Sequence, residues 1–121
     1  MEQPPADLSA RHQRIDYVEF VVRDIERAKA FYGAAFGWDF TDYGPEYAAF
    51  NDGRLDGGFA AGDPKPGGPL VITYAVDLAA AQRSIEAAGG RIVKPAFAFP
   101  GGRRFHYADP DGYELAVWSE R

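Results

Sequence analysis

Residues 15–37, IDYVEFVVRDIERAKAFYGAAFG, decide the fold. The first eight are rich in β-branched and aromatic residues and predict a strand, with Ile15, Tyr17, Glu19 and Val21 on one face and Val18, Phe20 and Val22 on the other. Asp24 then stands where a side-chain oxygen can accept from the free N–H groups of a first helical turn. Beyond it Ile25, Ala28, Phe31, Tyr32, Ala35 and Phe36 recur at helical spacing. Gly37 supplies the stop, because glycine tolerates the left-handed conformation at a helix end. Three short extended pieces follow at 38–43, 47–51 and 55–61, separated by Gly44-Pro45 and Asp52-Gly53. The order is β-α-β-β-β.

The same order then recurs. Residues 70–76 read as a strand, Asp77 as a cap, and Leu78, Ala81, Ile85 and Ala88 as one helical stripe ending at Gly89-Gly90. Strands follow at 91–99, 103–108 and 113–118. A shift of 53 places Asp24 on Asp77, Ala28 on Ala81, Tyr32 on Ile85 and Gly37 on Gly90, the signature of a duplicated module. The fold class is α+β: two βαβββ modules, 15–62 and 69–118, in one domain spanning 15–121, joined by a connector at 63–68. Prolines 64, 66 and 69 make that connector extended, since they resist helix and cannot donate to a ladder. Each module covers one sheet face with its helix, so the free faces are expected to enclose a cavity.

Composition narrows the function classes. A length of 121 residues leaves no room for a second core, and 46% hydrophobic residues exclude a disordered chain. Thirteen basic against eighteen acidic residues give a net charge of −5, which argues against nucleic acid, because phosphate binding needs a basic surface. The chain has no cysteine, hence no disulfide framework and no thiolate metal site. Residues 1–14 are polar and read as a flexible lead-in without a signal-peptide core. No stretch approaches the roughly 18 apolar residues of a membrane span, so a soluble, cytoplasmic protein without membrane partners is expected.

The runs VEFVVRDIERAKAFYGAAFGW and GGRIVKPAFAFPGGRRFHYADPDGYELAVW, in that paired order, resemble the vicinal-oxygen-chelate superfamily of glyoxalase I, bleomycin and fosfomycin resistance proteins and extradiol dioxygenases. The resemblance covers residues 15–118 and implies the glyoxalase/bleomycin resistance/dioxygenase fold, a homodimer, and a site between the sheets where a divalent cation is chelated by vicinal oxygens of the substrate. It places ligands at Tyr17, near 56–58, at Val71 and at Ala116. Val71 and Ala116 offer no lone pair and a neutral tyrosine is a poor ligand, so no metal cofactor is expected at the usual position. A substitute set of Glu19, Asp56 and His106 stays open, since imidazole and carboxylates suit Zn, Mn or Fe.

The candidate catalytic residues are Glu19 and His106. Glu19 interrupts an apolar strand, where a carboxylate costs stability unless it is paired, hydrated or used. His106 alternates with Arg104 and Ala108, at a position where the resemblance implies a pocket residue. Together they suit proton transfer beside a carbonyl, with Glu19 as general base and His106 as acid or orienting group. Tyr17, Arg104 and Trp118 are the candidate ligand-binding residues: two flat walls and a bidentate anion anchor. Either Arg103 or Arg104 serves as that anchor, because they alternate across one strand. Trp38 reads as core, Glu114 beside its turn as solvated, and His12 as a solvated residue of the lead-in. Asp109-Pro110-Asp111-Gly112 is a turn, and no nucleotide loop or nucleophile elbow is present.

Four functions stay open on the sequence: a metal-independent lyase or isomerase acting on a small carbonyl compound, a drug-sequestering binder, a metal-dependent lyase or dioxygenase with substitute ligands, and a structural or regulatory dimer with a vestigial cavity. The first three take a small organic molecule.

Overall fold

A computed structural model describes residues 10–64 and 66–120. The chain divides into two compact units, Tyr17–Leu70 and a second made of Met1–Asp16 with Val71–Arg121. Eight strands and two long helices follow in the order β1 (Arg14–Val22), α1 (Ile25–Phe36), β2 (Asp39–Asp42), β3 (Tyr47–Asn51), β4 (Asp56–Ala61), β5 (Leu70–Tyr74), α2 (Leu78–Ala87), β6 (Arg91–Phe99), β7 (Gly102–Ala108) and β8 (Glu114–Ser119). This is the expected α+β architecture with each βαβββ order intact.

In the first unit the strands lie in the order β2-β3-β4-β1, with β1 parallel to β4 and the other pairs antiparallel. Asp24 Oδ1 accepts from Arg27 N–H at 3.0 Å, capping α1, and Gly37 ends it at φ 74°. Glycine alone takes that φ without a Cβ clash. The helix-facing side is built from rings: Phe50 and Phe59 are buried, Trp38 stacks on Tyr32 at 4.7 Å and on Phe50 at 4.6 Å, and Phe20 lies 5.9 Å from Phe59. Trp38 is thus core, as its place after the helix predicts. Each such buried aromatic contributes roughly 1.5–3 kcal/mol through burial.

The second unit repeats the plan as β5-β8-β7-β6, with β5 parallel to β8 and antiparallel pairing beyond. Asp77 caps α2 by accepting from Ala80 N–H at 3.1 Å. The repeat drifts at the other end, because Gly89, not Gly90, takes the positive φ, at 103°, while Gly90 N–H reaches back to Ile85 C=O at 2.8 Å. That is a Schellman ending, and it puts the left-handed glycine one residue earlier than the duplication predicts. Phe105 and Val117 are buried against Leu78, with Ile85, Ile92 and Tyr107 packed around them. β6 is irregular: its register with β7 shifts between Ile92 and Lys94 and again between Lys94 and Phe97, around Pro95.

Residues 1–9 of the expected lead-in and Lys65 of the expected connector lie outside the described residues. The rest of the lead-in is engaged. Arg11 pairs with Asp16 at 3.0 Å, and His12, expected in solvent, accepts at Nδ1 from Val76 N–H at 3.1 Å. Among the described residues no helix is long and apolar enough to cross a membrane.

Candidate functional site

The five sequence candidates fall into two groups, Tyr17 and Glu19 in the first unit and Arg104, His106 and Trp118 in the second.

β7 presents Arg104, His106 and Ala108 on one side and Phe105 and Tyr107 on the other, the latter two packing toward α2. His106 is 7% exposed. It lies opposite Ala116 on β8, and two residues before Ala116 stands Glu114, whose carboxylate meets His106 Nδ1 at 2.8 Å. The sequence predicts a solvated Glu114 beside its turn. Its side chain is half-exposed, yet one oxygen is committed to the imidazole. With that carboxylate ionised, Nδ1 carries the hydrogen and the lone pair sits on Nε2. Nε2 is buried and has no hydrogen-bond partner among the described residues. Burial holds the imidazole pKa below its ordinary 6.5; Arg104 and Lys94 push the same way and Glu114 opposes them. The group is therefore a neutral base, oriented by a carboxylate, with its acceptor atom unused.

Rings and cations surround it. Phe97 lies 5.9 Å from the His106 ring. The Arg104 guanidinium sits 5.3 Å from the Phe97 centroid and 5.9 Å from that of Phe99, and Lys94 Nζ sits 4.5 Å from Phe97. Arg104 is half-buried while Arg103 is exposed, so Arg104 is the arginine on the histidine face. Trp118, opposite Arg104 in register, lies 6.1 Å from Phe99. Its indole N–H already donates to Asp16 at 3.0 Å, and Arg11 stands 5.6 Å from its ring, leaving Trp118 as a fixed apolar wall.

In the first unit Glu19 has a partner that sequence reasoning missed. Tyr47 of β3 donates to Glu19 Oε1 at 3.0 Å, and its hydroxyl oxygen lies 2.6 Å from that of Tyr17. The three residues meet across β4, where Gly58 is in register with both Glu19 and Ala49. A Cβ on Gly58 would stand 1.9 Å from the Tyr47 hydroxyl and 2.6 Å from that of Tyr17. The Gly57-Gly58 pair inside a strand was the available signal, since glycine in a strand marks a close approach. Burial, the bond from Tyr17 and the charge of Glu19 all raise the Tyr47 pKa far above its ordinary 10.0, so it stays a donor.

The ligand positions implied for a divalent cation do not fit one. Val71 and Ala116 carry no donor atom, the Tyr17 hydroxyl is bonded to Tyr47, and Asp56 accepts from Asn51 at 2.7 Å. Among the described residues no group of three or more His, Asp or Glu is placed to hold an ion.

A family model described as Glyoxalase/Bleomycin resistance protein/Dioxygenase superfamily matches residues 14–117. No curated protein matches the sequence. Among solved structures, the Mn(II)-bound glyoxalase from Novosphingobium aromaticivorans is 26% identical, with a TM-score of 0.67 over 91% of this chain and 40% of that one. This chain thus spans less than half of that glyoxalase. The methylmalonyl-CoA epimerase from Mycobacterium tuberculosis is 18% identical, with a TM-score of 0.67 over 93% of this chain and 95% of that one. The NAD-dependent benzaldehyde dehydrogenase from Legionella pneumophila is 20% identical, with a TM-score of 0.69 over 87% and 98%. The last two likenesses concern the fold.

Proposed function

The chain belongs to the glyoxalase/bleomycin resistance protein/dioxygenase superfamily, and from that premise we propose that it moves a proton on a small carbonyl compound with His106 as the acceptor. One observation carries this reading: a buried, neutral imidazole held at Nδ1 by Glu114, with the Nε2 lone pair unspent. Nε2 takes a proton from the carbon beside the carbonyl, the C–H electron pair forms the new C=C bond as the carbonyl π pair moves to oxygen to give an enolate, and the Glu114 carboxylate stabilises the imidazolium formed. Arg104 and Lys94 on the same unit favour a substrate that carries negative charge. Sequence reasoning assigns the base to Glu19; this reading assigns it to His106, because Glu19 Oε1 already accepts from Tyr47 at 3.0 Å.

The test is solvent exchange. In D2O the protein should replace the methyl hydrogens of pyruvate, or the benzylic hydrogens of phenylpyruvate, faster than buffer does, followed by proton NMR. His106→Gln should lose about 10²–10⁴-fold of that rate, the usual worth of a general base. Exchange by the native protein no faster than buffer with both compounds overturns the reading.

The wall formed by Phe97, Phe99 and Trp118 supports a second reading, sequestration of a ring-bearing molecule without turnover. In that case Trp118→Ala weakens binding of the ring compound and His106→Gln leaves it intact.

A further inference from the structure

The chain just before β1 is fastened to the rest of the second unit at four points. Gln13 N–H donates to Tyr74 C=O at 2.7 Å, His12 Nδ1 accepts from Val76 N–H at 3.1 Å, Arg11 pairs with Asp16 at 3.0 Å, and the Arg11 guanidinium stands 4.3 Å from the Tyr74 centroid. Residues 10–13 thus lie as a strap along the end of β5, with Tyr74 buried and Arg11 also over the Trp118 ring. The strap turns into β1 at Gln13, whose φ of 60° lies in the left-handed region that a residue with a side chain rarely occupies. A strained residue at the root of the strap is a hinge held in place by the contacts around it.

One of the four fastenings depends on a proton. Nδ1 can accept from Val76 only while it keeps its lone pair, so the seated imidazole is neutral with its hydrogen on Nε2. Protonation puts a hydrogen on Nδ1, which then meets the Val76 N–H as donor against donor. The charged and titratable groups of the surrounding elements are Arg11 of the strap, Arg14 and Asp16 of β1, Tyr74 of β5, Asp77 beside Val76 and Glu120 after β8. Asp16 holds Arg11 and the Trp118 indole, Tyr74 donates to Glu120, and Asp77 caps α2. The partner of Nδ1 is therefore the backbone N–H, and the two arginines add like charge to an imidazolium. We propose that residues 10–13 are a pH-released strap: neutral His12 latches it to Val76, and protonated His12 lets it swing away at Gln13, uncovering the Tyr74 ring and the Arg11 side of Trp118. Closing expels the proton, so acid opens the strap and base shuts it. The change falls where histidine changes charge, between about pH 5 and 8. The release stands apart from the His106 chemistry, and only its bearing on the ligand site rests on Trp118 being a wall there.

Exchange of the Val76 amide with D2O, followed by NMR and divided by the intrinsic rate at each pH, reads the latch. From pH 8 to pH 5.5 the native protein should lose about tenfold of the Val76 protection, the worth of one hydrogen bond. The amides bonded between β7 and β8 should keep theirs. His12→Asn places near Nδ1 an acceptor oxygen that does not ionise, and should hold the Val76 protection constant over that range while His106 still titrates. His12→Ala should show the low, opened protection at both pH values. Constant Val76 protection in the native protein overturns the proposal without any variant, so it remains open to refutation should a variant fail to fold. A parallel loss in β7 and β8, which signals opening of the whole unit, overturns it too. So does a fall in His12→Asn equal to the native one, which assigns the effect to another group, or native-like protection in His12→Ala at pH 8. None of these outcomes depends on pyruvate exchange, which reads His106 alone.

Discussion

Glu114 holds His106 in the tautomer that leaves Nε2 as acceptor, and it opposes the burial that lowers the imidazole pKa. Glu114→Gln therefore lowers the titration midpoint of His106 further, a change read directly by following its ring protons by NMR; an unchanged or raised midpoint contradicts the assigned contact. Gly58 acts by what it lacks. Gly58→Ala forces a methyl into the tyrosine hydroxyls and should cost about 1–3 kcal/mol in urea unfolding, the usual penalty of overpacking. Glu19 stands out in the sequence as a polar interruption of an apolar strand, and His106 by its alternation with Arg104 and Ala108. Tyr47 and Glu114 do not stand out, since their roles depend on cross-strand register, and nothing in a tyrosine that begins an ordinary strand states which carboxylate it will meet.

Local chemistry dominates at the scale of the element. The two helices start where an aspartate can accept from the third N–H beyond it, and Asp24→Ala or Asp77→Ala should each cost about 1 kcal/mol in thermal or urea unfolding. Gly37→Ala, at φ 74°, should cost about 1–2 kcal/mol, the steric price of the left-handed region for a Cβ. These elements could be read in advance because caps, helical stripes and glycine stops act within a few residues of chain. Alternation likewise placed the polar set of β1 and of β7 on the sides where the structure finds them. The end of α2 resisted the same reading: Gly89 and Gly90 are chemically identical, and only the backbone decides which adopts φ 103°.

For the molecule as a whole, the same histidine links stability to pH. Its folded-state pKa lies below the unfolded value near 6.5, so over the interval between the two the unfolded chain binds more protons. Its contribution is fully present above that unfolded value and is lost as pH falls through it toward the folded value, levelling off below. Stability measured by urea unfolding should therefore decline less on acidification below about pH 6.5 in His106→Gln than in the native protein; parallel curves would mean that the imidazole is not held neutral. Carboxylate titrations affect both proteins alike and cancel in the comparison.

The irregular register of β6 has a further effect at this scale. Pro95 offers no N–H, Lys94 is exposed beside it, and the two register shifts break the even spacing of the remaining backbone groups. A stray polypeptide laid along this margin would find a missing donor, a charge and a kink within four residues, which are the features that stop sheets from growing into fibrils.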